Sequence, residues 1–202
     1  MRTHASSRSA RTGVLTLGLA ALLLAGCATV EPTWVTDSAT PQTAKKIGVT
    51  ASVPEGWARF TPDKDLVMTK DGFLLQTIRI TRRDYGSKIE NTDRTITQGM
   101  EDQEAAQLLL DAFAADQSRH NLQIVSNTPA TIDGRPGFRI EVTYKTPEGL
   151  TIHETAYVAL VDDSYVIARY TAPDRHYHEM HSGAFEKVVE GMKIGPMPGK
   201  KG

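Results

Sequence analysis

The largest group of side chains that could bind a metal ion lies in the stretch 174–181. It contains Asp174, His176, His178 and His181. On a helix, His178 and His181 stand at positions i and i+3, so their imidazoles share one face and could coordinate one ion, with Asp174 one turn earlier. The spacing matches no established zinc motif, because His-Glu-x-His is one residue shorter than His-Glu-x-x-His.

The same histidines also fit a structural role. Phe185, Val188 and Met192 continue the stripe on which His178 and His181 lie, and this spacing is typical of the apolar face of a helix. The pattern predicts that the two imidazoles form the half-buried end of a core face. Metal binding is the alternative, and these imidazoles are also the groups that would give a pH response near neutrality.

A second group of charged side chains follows the first predicted hairpin. It consists of Arg79, Arg82, Arg83 and Lys88. The ordinary interpretation is a solvated rim of a loop. The functional alternative is contact with anionic lipid headgroups or with an acidic partner protein.

The composition narrows the classes of function. The chain has 23 Lys and Arg against 24 Asp and Glu, a net charge of −1. Nucleic-acid binding would need a basic stripe and is therefore not expected. Gly-x-Ser-x-Gly, Ser-x-x-Lys and phosphate-binding glycine motifs are missing from the sequence. No catalytic residue is predicted, and the protein is not expected to be an enzyme.

Between residues 47 and 194 the hydrophobic pattern alternates between the periods of strands and helices. Asp71-Gly72 lies between two predicted strands and indicates a hairpin, whereas the stretch 82–99 is predicted to be irregular. His153 is predicted to be exposed. Short turns between strands predict an antiparallel sheet with helices packed on it, in a single α+β domain. Strands are predicted over 47–53, 65–70, 74–81, 122–127, 130–132, 138–145, 150–161 and 165–171, and helices over 101–118 and 175–193.

The first 26 residues have the composition of a signal peptide. A positive N-terminal region precedes the apolar run 14–25, which is too short to span a bilayer, since that needs about 20 residues. The run ends in Leu24-Ala-Gly-Cys27, which resembles the lipobox of bacterial lipoproteins. The resemblance implies cleavage between Gly26 and Cys27 and lipidation of Cys27. Two or more acyl chains anchor a protein stably to a membrane.

Flanking segments complete the predicted organisation. Residues 27–46, with the lipidated Cys27 at their start, are predicted to be a flexible tether, and residues 195–202 a disordered tail. By similarity to enterobacterial sorting, Ala28 in place of Asp predicts anchoring in the outer membrane, facing the periplasm. The periplasmic face of the inner membrane is the alternative. Apart from the covalent lipid, no cofactor is expected.

Three motifs within 47–194 resemble those of PsbP-like domains, a family that includes DcrB-like lipoproteins. They are Val53-Pro-Glu-Gly-Trp57, Ile132-Asp-Gly-Arg-Pro-Gly-Phe138 and Phe185-Glu-Lys-Val-Val189. The resemblance implies an antiparallel sheet between helices, an αβα sandwich, and docking on other proteins without catalysis. It carries over Trp57, Gly134, Gly137 and Phe185 as structural positions.

Together these observations predict a membrane-anchored lipoprotein that acts as a non-catalytic protein-binding or assembly module in the bacterial cell envelope. Its expected partners are the membrane, through the lipid, and an envelope protein or complex. The alternative is a lipoprotein that binds a metal ion or a small ligand through His176, His178 and His181.

Overall fold

The computed structural model describes residues 33–36, 40–61, 64–197 and 199. A long connection, residues 85–101, joins the sixth strand to the first helix, and an irregular turn, Asp174–His178, leads into the second helix. In chain order they are β1 (Thr33–Thr36), β2 (Pro41–Ala44), β3 (Val49–Ser52), β4 (Ala58–Thr61), β5 (Leu66–Thr69), β6 (Thr77–Asp84), α1 (Asp102–Ala115), β7 (His120–Ile132), β8 (Arg135–Lys145), β9 (Thr151–Val161), β10 (Ser164–Pro173), α2 (Glu179–Gly191) and β11 (Lys193–Ile194).

The main sheet is antiparallel and has eight strands in the order β1-β4-β5-β6-β10-β9-β8-β7. Side chains alternate between its two faces, as the period of two requires. In β10, Tyr165 and Ile167 belong to the apolar cluster that includes α1, whereas Val166, Ala168 and Tyr170 belong to the cluster that includes α2. The sheet therefore lies between the two helices, and the predicted αβα sandwich is confirmed.

A second, three-stranded sheet in the order β11-β3-β2 lies on the α2 side. Its residues Ala44, Val49 and Ile194 are part of the same apolar cluster as the helix. The structure places β1 and β2 within the segment 27–46, so the predicted flexible tether is corrected over these strands. The reason is burial: Ala44 is fully buried, and Trp34 packs on Phe60 with 5.2 Å between ring centroids.

The structural positions carried over from the resemblance have physical roles. Trp57 and Phe185 are buried at the centre of the α2-side core. Gly134 has a φ of +72° in the turn between β7 and β8, a conformation that favours glycine. At Gly137 a Cβ atom would collide with the carbonyl oxygen of Val158 on the neighbouring strand, so only glycine fits there.

The first predicted hairpin is present, but its turn differs from the predicted one. β5 and β6 pair as expected, with Leu66 opposite Ile80, but the turn is longer than Asp71-Gly72 implies. Residues 70–76 form a loop in which the Asp71 carboxylate accepts a hydrogen bond from Gln76 Nε2 at 2.6 Å. The strand predicted to begin at residue 74 begins at Thr77 and continues to Asp84, through the start of the stretch predicted to be irregular.

The ends of the chain carry further predictions. Gly26 and Cys27 lie outside the described residues, so the predicted lipidation site has no structural description. At the other end, the Gly195 amide donates a hydrogen bond to the Gly48 carbonyl at 2.8 Å, so the first residue of the predicted tail is attached to the domain. No helix in the described part of the chain is long and apolar enough to cross a membrane.

Arg82 is part of the core rather than of an exposed rim. Its side chain is 2% exposed, because the alternation of β6 places it on the same face as Ile78 and Ile80. Nε donates to Ser164 Oγ at 2.7 Å, and Nη1 donates to the carbonyl oxygens of Ile47 and Gly195 at 3.1 and 2.7 Å.

The Arg82 guanidinium also forms an ion pair with Asp163 at 3.3 Å. One side chain thus joins the main sheet, the loop before β3 and the segment after β11. The prediction that Arg82 contacts a partner or headgroups is wrong, because its donors are already used inside the domain.

Replacing Arg82 tests this arrangement. Arg82→Ala leaves buried carbonyl groups without a donor, so we expect the free energy of unfolding to fall by roughly 2–4 kcal/mol. The matched control is Arg83→Ala, because the neighbouring side chain points to the other face and is 45% exposed. The control should change stability by less than about 0.5 kcal/mol in urea denaturation. Equal losses in both variants would contradict the structural role of Arg82.

Candidate functional site

The three histidines of the stretch 174–181 lie apart from one another in the folded domain. His178 and His181 are both buried, at 7% and 6% exposure, as their place on the apolar stripe predicts. They have different surroundings, however. His181 contacts the Trp57 ring edge-on, with Nε2 3.8 Å from the Asp71 carboxylate. His176 is exposed. The stretch 174–181 therefore does not bring its three histidines to one point.

His178 instead meets His153, a residue that sequence reasoning assigned to the surface. The two imidazoles stack at 3.6 Å between centroids, with 3° between their planes. The irregular turn produces this contact: His176 has a φ of +74°, and the turn folds back over β9. The prediction that His153 is exposed is thus wrong, because the turn covers its face of the sheet and leaves its side chain only 15% exposed.

Both ring nitrogens of His153 face carboxylates. Nε2 lies 2.8 Å from Glu141 Oε1, and Nδ1 lies 3.1 Å from Asp174 Oδ1. Ionised carboxylates only accept hydrogen bonds, so both contacts are satisfied only when the ring carries both protons. In this geometry Glu141 and Asp174 hold the His153 ring between β8 and the irregular turn.

The surroundings of the two stacked rings shift the pKa values of His178 and Glu141. Burial, together with the charge of His153, lowers the pKa of His178 to about 4, so this ring is neutral near pH 7. Burial alone would raise the pKa of Glu141, but the hydrogen bond and charge of Arg139 outweigh it and lower that pKa. Arg139 Nη1 lies 2.6 Å from Glu141 Oε2.

This cluster also has the donor set of a metal site. Glu141, His153 and His178 each offer a ligand atom, and these atoms lie within 4.8 Å of one another. Two imidazoles and a carboxylate suit zinc and similar divalent ions. The rings are parallel, so their lone pairs do not converge, and an ion would bind only after one ring rotates. Asp174 would then hold the second nitrogen of His153, as carboxylates do behind metal-bound histidines.

The predicted basic residues form a groove on the opposite face of the sheet. Arg79, Arg83 and Lys88 line this basic groove between β6, β10 and α1, and Arg82 does not. Lys88 pairs with Asp93, and Arg83 lies 3.6 Å from Glu90. The groove is open and encloses about 100 Å³.

Sequence reasoning missed two further arginines in the basic groove. Arg119 and Arg169 both lie 3.1 Å from the carboxylate of Glu154, which is 1% exposed. The Arg119 guanidinium also stacks between the rings of Phe113 and Tyr144, 4.5 Å from each centroid. The sequence contains a pattern that indicates this ion pair: Glu154 and Arg169 interrupt the apolar alternation of β9 and β10. A charged residue in such a strand requires a partner of opposite charge.

No protein-family model and no curated protein matches the sequence. Among solved structures, the fold is similar to that of PsbP (CyanoP) from Synechocystis sp. PCC 6803, with a TM-score of 0.53 and 14% identity over 84% of this chain and 96% of that chain. The Saccharomyces cerevisiae Ran-binding protein Mog1p gives a TM-score of 0.48 and 12% identity, over 82% of this chain and 96% of its own.

Mycobacterium tuberculosis LpqN, which is involved in cell envelope biogenesis, gives a TM-score of 0.39 and 14% identity, over 82% of this chain and 91% of its own. At such low identities these similarities concern the fold alone. The match to CyanoP confirms the PsbP-like fold that the three motifs predicted.

The stacked histidines predict a pH-dependent stability. Between pH 6.5 and about 4 the unfolded chain binds a proton at residue 178 that the folded chain excludes. Stability should therefore fall as the pH falls through this window, by roughly 3 kcal/mol. In metal-free buffer, urea denaturation at several pH values measures the loss. His178→Gln should remove this part of the slope, and parallel curves for the variant and the original protein would refute the assignment.

Proposed function

We propose that the protein is a lipid-anchored, non-catalytic binding module that docks on a protein of the bacterial cell envelope. The observation that carries the proposal is the basic groove. The groove brings Arg79, Arg83 and Lys88 together at the surface and encloses roughly 100 Å³. A groove of this size suits side chains of a partner that docks from outside.

The anchor would hold the domain close to the bilayer. If Cys27 carries the lipid, five residues separate it from Thr33 at the start of β1, and even an extended chain bridges at most roughly 20 Å over those six steps. The tether is thus shorter than the segment 27–46 predicted. We place the domain on the periplasmic side of the outer membrane because Ala28 follows the cysteine, with the inner membrane as the alternative.

The surroundings of Thr155 support a non-catalytic role. Thr155 Oγ1 lies 3.2 Å from His178 Nε2, a pairing of hydroxyl and imidazole that could in principle make a nucleophile. Thr155 is only 2% exposed, and the His153 ring covers the imidazole by stacking on it. A substrate cannot reach this hydroxyl, so the pair is structural.

Crosslinking in intact envelopes tests the binding function. A photoreactive side chain at the exposed position Glu90, on the rim of the basic groove, should crosslink to one specific envelope protein. Cys27→Ser should release the chain from the membrane fraction and weaken this crosslink, because the anchor supplies a high local concentration. The control position Lys187 lies on the α2 side and should not give the same product. Absence of any specific product under several growth conditions would contradict the proposal.

A second candidate function is metal binding, the observation in its favour being the cluster of Glu141, His153 and His178. It replaces the set of His176, His178 and His181 that the sequence suggested. A divalent ion would displace the proton of His153 and draw the three ligand atoms together, so binding should weaken at low pH.

Calorimetry of the metal-free protein with zinc, copper and nickel tests this candidate. His153→Ala and His178→Ala should each weaken binding at least about tenfold, because each removes one of three ligands. His176→Ala is the matched control, since this imidazole lies in the same turn but is exposed. If binding is missing, or only the control variant loses it, the cluster is not a metal site.

A further inference from the structure

The basic groove contains a pair of like charges that the fold alone does not require. Arg79 of β6 stands directly opposite Arg169 of β10 in the antiparallel register, and like charges in this position destabilise a sheet. Arg79 is exposed and forms no ion pair with any residue that the structure describes. Arg169 shares its carboxylate, Glu154, with Arg119.

The guanidinium groups are held in place before any ligand arrives. The Arg169 guanidinium lies over the Phe113 ring of α1 at 5.1 Å, and that of Arg119 lies over the same ring at 4.5 Å. Arg119 Nη1 is buried and has no hydrogen-bond acceptor in the described part of the chain. The Nε atom of Arg169 is likewise buried and lies 3.1 Å from Glu154, without the alignment of a hydrogen bond. Both guanidinium groups are thus fixed in place, and part of the Arg169 side chain, 27% exposed, stays accessible from the groove.

The charge of the groove is a local property. Its lining includes the cations Arg79, Arg83, Lys88, Arg119 and Arg169 and the carboxylates Glu90 and Asp116. Asp93 and Glu154 pair with three of these cations, so one positive charge stays in excess, while the chain as a whole has a net charge of −1. Leu109, Ala112 and Ile167 form the apolar part of the wall. An anion attached to an apolar stem complements such a surface.

We propose that the basic groove binds a carboxylate side chain from an acidic peptide segment of the partner protein, between Arg79 and Arg169. The planar guanidinium fork matches a carboxylate in two parallel hydrogen bonds, and the bound anion neutralises the opposed charges. This inference rests on the proposed binding function and names the chemistry of the partner.

The position of the charges favours a peptide over a membrane surface. The side chains of Arg119 and Arg169 are only 9% and 27% exposed, so their donors lie below the rim formed by α1 and β6. A flat bilayer contacts protruding cations, whereas an acidic side chain can enter the groove. The experiment therefore has to distinguish binding of an acidic peptide from binding of lipid headgroups.

The test measures binding of fluorescein-labelled hexaglutamate to the full-length protein in detergent, by anisotropy at low salt. We expect hexaglutamate to bind and hexaglutamine not to bind. Arg79→Gln should weaken binding by about tenfold or more, while its stability in urea stays equal or rises because the like-charge pair is removed. Lys187→Gln, which removes one exposed positive charge on the α2 side, should change the affinity less than about twofold.

Three outcomes would overturn the inference. Arg79→Gln and Lys187→Gln could weaken binding equally, hexaglutamine could bind as well as hexaglutamate, or phosphatidylglycerol vesicles could bind through Arg79 while hexaglutamate does not. Envelope crosslinking distinguishes a failure of this inference from a failure of the proposed binding function. If Arg79→Gln retains the specific product at full yield, no carboxylate of the partner binds between Arg79 and Arg169, and the binding function stands. If the original protein gives no product, the binding function falls by itself.

Discussion

Each residue of β9 and β10 faces only one side of the main sheet, and both candidate sites depend on this alternation. His153 and Glu154 are neighbours in sequence, yet His153 belongs to the histidine cluster on the α2 side and Glu154 to the basic groove on the α1 side. The two strands pair over their whole length, from Ser164 opposite Val161 to Pro173 opposite Ile152. A shift of the register by one residue would exchange the two faces and destroy both sites.

Much of the fold was predictable because it depends on local patterns. The alternation of β8 and the apolar stripes of α1 and α2 are readable from single segments, and Asp133-Gly134 marks its turn through its positive φ angles. These features need no knowledge of distant partners. The resemblance to PsbP-like domains then supplied the order of layers, which the solved structure of CyanoP supports.

The candidate sites were less predictable because their parts come from distant segments. His153 flanks no apolar stripe, and its burial depends on the irregular turn. No sequence pattern predicts the backbone conformation of His176 in that turn. Arg82 was different: it shares the alternation of Ile78 and Ile80, so strict use of the period would have placed it inside. The charge of its neighbours suggested a surface rim instead. The period of the strand, and not the charge of the neighbouring residues, indicates correctly that Arg82 is buried.

Buried polar and charged side chains have different partners on the two faces of the main sheet. On the α2 side, His153 is enclosed between Glu141 and Asp174, so both of its ring nitrogens have carboxylate partners within the domain. On the α1 side, Glu154 pairs with both Arg119 and Arg169, Asp116 also pairs with Arg119, and Arg79 adds a further cation opposite Arg169. An excess of positive charge in a partly shielded groove costs stability. The α1 side therefore carries a positive charge that no described carboxylate pairs, and this excess directs the search for a partner to the basic groove.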